Sequence, residues 1–458
     1  MTEGKIKVLF TTDWGTTGFG TVGRELCSRL ASTGKYEIFY LGWHYTGDSE
    51  GQQLANAMGF RLLNTQFWKG MADQFGQASF DEVVDRVKPQ IVITLGDPWM
   101  VQHVETSRNR KNFQWISYMP IDRDIMSKPW LNLLKDPDVL VAYSNFGKEV
   151  LENQLPYKHV ELVLHGVDKT VFKPWRPEVH KDKSYSELKE LIKTRVIGED
   201  NKHRFVVGYV ARNQVRKAIP RVINAFKAFN CKTWIERSDV EIVKGSDVVY
   251  SGNAEHFCKE KQLFRCESCP VFKQREETED SIIYLHTTRG NSPDNQDGPG
   301  IGWRVDEIAH RMNLYGRLFM TPNITAIKGI PRDNLSMIIQ CFDVHLFMSH
   351  SEGFGLPAAE SVACGIPTLV TDYSSLPEIV AQGGGMTIKV RDFDTFVTFE
   401  NTWANADIGD AADKVNMIFK DKDLAAKMSK EGENSDYILD WDAVSQQFSA
   451  ILDRLCES

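Results

Sequence analysis

The chain has 458 residues, 42% hydrophobic and 25% charged, with a formal net charge of −8. That length suits two or three domains that bury their own cores without disulfides, and the acidic balance gives no global basic footprint for nucleic acid. No apolar run approaches the ~20 residues that span a bilayer. Met1-Thr2-Glu3-Gly4-Lys5 leads into a strand-like run without an apolar signal core, so an intracellular, cytoplasmic location is the default expectation.

In chain order, short apolar runs at 6–10, 37–41, 91–95, 113–118, 140–143 and 160–164 alternate with helical stretches such as 21–30 and 80–87. Continuous rather than alternating hydrophobicity marks strands buried on both faces of a parallel sheet, and the strand–helix alternation predicts a doubly wound α/β domain. The pattern restarts after His165-Gly166-Val167-Asp168. A segment rich in Pro, Lys and Glu (about 172–204) precedes predicted strands at 205–210, 282–285, 318–320, 344–348 and 368–371, with helices at 221–229 and 305–312. The stretch 230–280 breaks the alternation and reads as an insertion. A last amphipathic helix is expected around 441–455. The predicted organisation is therefore an N-terminal Rossmann-like domain (1–165), a second such domain (166–435) and a terminal segment (436–458) crossing back to the first.

Ligands in such sheets sit outside the carboxyl ends of the strands. The most informative segment lies there: Ser349-His350-Ser351-Glu352-Gly353-Phe354-Gly355-Leu356-Pro357-Ala358-Ala359-Glu360. Pro357 suits a first helical turn and Gly365 a helix end. The backbone amides of Gly353, Phe354, Gly355 and Leu356 then point from a helix N-terminus, an anion site by geometry and dipole. Glu352 and Glu360 would repel a phosphate but suit neutral hydroxyls. Taken alone, two such acids read as solvated residues at a helix start; the glycine context favours a binding role. A first glycine loop, Asp13-Trp14-Gly15-Thr16-Thr17-Gly18-Phe19-Gly20, opens the chain in the same kind of position.

Glu352 and Glu360, with seven residues between them around Gly-Phe-Gly-Leu, resemble the paired-glutamate motif of the large retaining glycosyltransferase family with the GT-B fold. That family includes sucrose synthases and bacterial mannosyl- and glucosyltransferases. The resemblance implies that Glu352 contacts donor-sugar hydroxyls, that Glu360 holds the ribose, and that the turn amides hold the sugar or diphosphate. Gly208-Tyr209-Val210-Ala211-Arg212-Asn213-Gln214-Val215-Arg216-Lys217 is similar to the family's strand-end motif, in which Arg212 and Lys217 would clamp the diphosphate with Arg216 as an auxiliary. Such cations would neutralise charge on the departing group. By the same resemblance Gly18 and Gly20 touch the donor phosphate. Gly302-Trp303 and Thr321-Pro322-Asn323 border the base, and His165-Gly166-Val167-Asp168 stands where the family usually has Asn-Gly-Val-Asp. The family's N-terminal-domain histidine is missing. Asp122, in Ser117-Tyr118-Met119-Pro120-Ile121-Asp122, is the polar substitute, and Asp97 is a second cleft candidate; each is equally readable as a cap.

The sequence-based expectation is a GT-B, α/β enzyme that transfers a sugar from a nucleoside diphosphate to a hydroxyl with retention and needs no cofactor. The alternatives are a GT-B nucleotide-sugar epimerase and a non-catalytic nucleotide-sugar-binding protein. Catalytic weight falls on Glu352, Arg212, Lys217 and Asp122. Cys231, Cys258, Cys266 and Cys269 either chelate a structural zinc or stay reduced. The acceptor is open, with a modified nucleic-acid base as a minority option resting on Lys259, Lys261, Arg265, Lys273 and Arg275 interleaved with Phe257, Phe264 and Phe272.

Overall fold

The structure is a computed structural model that describes residues 5–65, 73–175, 184–229, 281–290, 302–322, 324, 329–396 and 401–457, with short strands between 233 and 274. Cys231, Cys266, Cys269 and the side chain of Cys258 lie outside the described residues, as does the basic–aromatic stretch around them. The described cysteines, Cys27, Cys341, Cys364 and Cys456, are free. No described helix is long and apolar enough to cross a membrane.

The first domain is one parallel sheet of β1 (Ile6–Asp13), β2 (Tyr36–Trp43), β3 (Arg61–Asn64), β4 (Ile91–Leu95), β5 (Gln114–Met119), β6 (Val139–Ala142) and β7 (Val160–Leu162). Its order is β3-β2-β1-β4-β5-β6-β7, every neighbour being parallel. The order reverses between β1 and β4, where Val8 lies opposite Ile91 and Thr11 opposite Thr94. All of β4 is buried, so its unbroken apolar run is covered on both faces.

The second sheet runs Leu318–Met320, Ser281–His286, Phe205–Val210, Val344–Phe347, Thr368–Thr371, Gly385–Ile388 in space. It too is wholly parallel. Its order reverses between Phe205–Val210 and Val344–Phe347. A side chain at Gly208, in the middle of that reversal, would stand 2.0 Å from the Phe342 ring.

The carboxyl ends of the two sheets face one another. A Cβ at Gly353 would meet Tyr143 Cε2 at 2.7 Å and Pro120 Cα at 3.1 Å, and one at Gly329 would meet Thr16 at 3.1 Å. Glu378 reaches across to the start of the helix Asn145–Gln154. Its carboxylate accepts from Phe146 N at 2.7 Å, Asn145 N at 2.9 Å and Asn145 Nδ2 at 2.8 Å, a negative charge at a helix N-terminus.

The chain then returns to where it began. Leu439–Asp440 pairs in parallel with Gly166–Val167. The last helix, Trp441–Glu457, rests on the first domain, with Asp442 on Arg29 at 2.5 Å, Asp453 on Lys35 at 2.7 Å and Phe448 on Tyr118 at 5.2 Å between ring centroids.

Two elements depart from the sequence-based expectation. The segment rich in Pro, Lys and Glu, where no element is predicted, holds the helix Tyr185–Ile197, started by a capping box between Ser184 and Glu187. An antiparallel hairpin, Val390–Phe396 with Asn401–Ala406, follows the last sheet strand. It is fastened beside the glycine turn, because Ala404 N donates to His350 O at 3.2 Å and Trp403 stacks on the His350 ring at 5.0 Å.

Candidate active site

The site lies between the two switch points. After the strand Phe205–Val210 the chain passes through Asn213, which is fully buried. Its side chain bonds Trp303 O at 2.7 Å and Trp303 N at 2.7 Å, pinning Gly302-Trp303 against the loop. A single helical turn, Val215–Lys217, ends at Ala218 in the left-handed conformation with φ of 50°. That turn aims two adjacent cations at Glu352.

Lys217 Nζ pairs with Glu352 Oε1, and Arg216 Nη1 lies 3.0 Å from Glu352 Oε2. Arg216 also donates to Ser351 O at 3.1 Å, while His350 N donates to Arg216 O at 2.9 Å. The glutamate's own backbone is held by Ser374 Oγ at 3.0 Å and Ser375 Oγ at 2.8 Å. Burial alone would raise the Glu352 carboxyl, but Lys217 and Arg216 more than reverse it and hold it well below the usual carboxylate range. Burial and then the like charge of Arg216 pull Lys217 down. Charge of both signs is thus packed into a nearly dry site, the setting in which pairing is strongest.

The other sequence-predicted residues fall as follows. Gly353, Phe354 and Gly355 form the turn into the helix Leu356–Ala363, with Gly355 at φ of 101° as its N-cap. Glu360 is buried one turn inside that helix; burial pushes its carboxyl up to about 7. Arg212 is exposed at the strand end, and Arg216, read as an auxiliary, grips Glu352. Gly18 and Gly20 belong to the first turn of the helix Gly18–Ser32. A Cβ on Gly18 would have only Leu356 Cδ1 nearby, at 3.8 Å across the cleft, whereas one on Gly20 would strike Gly15 O at 2.1 Å. Gly20 therefore serves the packing of its own loop. Asp13 orders that loop, accepting from Thr17 Oγ1 at 2.6 Å and Gly15 N at 2.9 Å.

On the first domain's side, Asp122 pairs with Arg123 at 3.2 Å. Asp97 is pushed up to about 6 by burial and then by Asp122, with Arg216 across the cleft opposing. No sequence signal placed Arg216, named as an auxiliary, against Glu352, and none singled out Ser374, Ser375 or Glu378. Asn213 sat unremarked within a motif already singled out. Among the described residues no group of three or more His, Cys, Asp or Glu side chains is disposed to hold a metal ion.

Two Rossmann-like domains meeting at their switch points, with paired glutamates and two cations in the seam, define a protein of the GT-B fold class. Residues 313–435, about a quarter of the chain, match the family glycosyl transferases group 1. A D-inositol 3-phosphate glycosyltransferase of Mycolicibacterium vanbaalenii is 39% identical over 72 residues, 16% of either chain. The matched stretch thus spans about a sixth of that relative. Sucrose-phosphate synthase from Thermosynechococcus elongatus superposes over 99% of this chain and 100% of its own with a TM-score of 0.67 at 15% identity. A structure titled trehalose-6-phosphate from E. coli bound with UDP-2-fluoro glucose gives 0.60 at 11% identity, over 98% of each chain. These likenesses extend the shared fold to both domains.

Proposed function

We propose that the protein is a retaining glycosyltransferase that moves a hexose or pentose from a nucleoside diphosphate to an acceptor hydroxyl. The observation that carries this reading is the grip of Arg216 and Lys217 on the buried Glu352 at the switch point of the second sheet, next to Gly353, which abuts Pro120 and Tyr143 of the first domain. In the reaction, the bond from the anomeric carbon to the diphosphate oxygen breaks, and the acceptor oxygen bonds to that carbon on the same face. The acceptor proton passes to the departing diphosphate. Arg216 and Lys217, with Arg212 from the strand end and the amides of Phe354, Gly355 and Leu356, offset the charge growing on that group. Glu352 holds the sugar hydroxyls, Glu360 the ribose, and Asp122 with Asp97 the acceptor side.

The test is a thermal-shift panel with UDP-, GDP-, ADP- and TDP-sugars on wild type and Glu360→Ala. A ligand at a hundred times its Kd adds about 2.7 kcal/mol, a resolvable shift in Tm. One nucleotide series is expected to stabilise the wild type and to lose its effect in the variant. Equal shifts in both proteins would remove the donor site from this helix.

A further inference from the structure

The helix Arg332–Gln340 starts at the seam between the domains, and its first residue faces two carboxylates from opposite sides. Arg332 Nη1 lies 3.2 Å from Glu25 Oε1 on the first domain's helix, and Nη2 lies 3.7 Å from Glu360 Oε1 on its own domain. The guanidinium lies 5.1 Å from the centroid of the Phe172 ring, and its Nε is buried with no hydrogen-bond partner among the described residues. Glu25 is fixed from behind, since Arg29 holds its other oxygen at 2.5 Å and is itself held by Asp442 at 2.5 Å. Only the contact to Glu25 is of hydrogen-bond length.

We propose that Arg332 is a positioning residue for the donor ribose, shared across the cleft by Glu25 and Glu360, so that closure of the domains sets the charge of Glu360 and its hold on the ribose hydroxyls. This rests on the donor site proposed above. A carboxylate accepts from both hydroxyls of a diol, whereas a protonated carboxyl gives up part of that capacity. The groups facing Glu360 are Arg332, which lowers its pKa, and Glu25 and Asp168, which raise it. Cys364, which caps the end of the same helix, also faces it. Opening the cleft withdraws Glu25 and leaves Arg332 to Glu360 alone, so the open form carries the ionised carboxylate to lower pH than the closed form.

Two readouts test this on the full chain. The first needs no ligand. A carboxyl raised in the folded state contributes stability that is present below its unfolded pKa and lost as pH rises through the folded one, here about 7. Between pH 5 and 8 the wild type should therefore lose Tm relative to Glu360→Gln. Glu25→Gln should shrink that loss and Arg332→Met enlarge it. The second readout is affinity for UDP, GDP, ADP or TDP, using whichever binds the wild type. With a pKa of about 7, only about one-tenth of Glu360 is ionised at pH 6, so affinity should fall about tenfold from its alkaline plateau. In Glu25→Gln the fall should be under about threefold. Wild-type pH dependence of both Tm and affinity in Glu25→Gln would overturn the proposal. Binding of none of the four nucleotides, with the Tm slopes as expected, would overturn the donor reading and leave the fork standing.

Discussion

Lys217 and Glu352 bury opposite charges against each other where the two domains meet, with side chains 9% and 8% exposed. Each has lost most of its water, so each depends on the other, and Arg216 completes the set from a more exposed position. Removing one member strands a buried charge, which costs about 3–5 kcal/mol. Lys217→Met is therefore expected to lower stability by about 3 kcal/mol, the lower end because Arg216 remains. The double variant Lys217→Met/Glu352→Leu should recover part of that loss, since the two sites are coupled. Urea unfolding of the single and double variants measures both, and simple additivity would mean that the pair is not a unit. At this scale the sequence is legible where spacing carries chemistry. Glu352, Glu360 and Lys217 stand out because a glycine turn and a strand end frame them. Arg216 does not stand out over Arg212, because the choice is made by a three-residue turn ending at Ala218 with φ of 50°, and so short a turn has no periodicity to read.

Among elements, the buried strands are readable because both faces are covered, which leaves unbroken apolar runs such as Ile91–Leu95. The hairpin Val390–Phe396 with Asn401–Ala406 is not, because its first strand is exposed and charged and its structure depends on its pairing and on Trp403 over His350. The helix Tyr185–Ile197 was announced by Ser184 and Glu187 three residues on, a signal masked by the surrounding prolines and lysines. The glycine turn sets a stricter demand than its sequence suggests. Gly353 is required by the opposite domain, since a Cβ there would stand 2.7 Å from Tyr143 Cε2 and 2.8 Å from its hydroxyl. Neither sheet needs that glycine for its own packing. Gly353→Ala should consequently hold the domains apart while leaving each folded. The expected outcome is a larger radius of gyration by small-angle scattering and weaker nucleotide binding, with unchanged far-ultraviolet circular dichroism. A variant as compact as the wild type would show that Tyr143 yields instead.

For the whole molecule, the junction is built around one neutral imidazole. His165 is buried, its ring centroid 4.0 Å from Tyr143 and 5.4 Å from Tyr118 on the first domain. It also lies 5.2 Å from Phe354 in the glycine turn and 6.2 Å from Trp441 at the start of the returning helix. Neither of its nitrogens has a hydrogen-bond partner among the described residues, and burial pulls its pKa down to about 3. The unfolded chain therefore takes up a proton near pH 6.5 that the folded chain refuses until about pH 3. Stability is present above the unfolded value and falls as pH drops below it, by up to about 1.4 kcal/mol per pH unit. His345, pulled to about 3, and His103 and His286, each to about 4, act in the same direction, so the molecule as a whole should be acid-labile. His165→Phe keeps a flat ring in an aromatic nest and removes two unsatisfied polar atoms. It should hold stability at pH 7.5 to within about 1 kcal/mol, because losing unpaired groups offsets the strain of a larger ring. Between pH 7.5 and 5.0 the wild type should lose about 2 kcal/mol more than the variant, from the 1.5 pH units travelled below 6.5 at about 1.4 kcal/mol each. Urea midpoints at the two pH values give this difference directly. Parallel losses in the two proteins would mean that His165 finds a partner in solution, and the acid sensitivity would then belong to the histidines inside the separate domains.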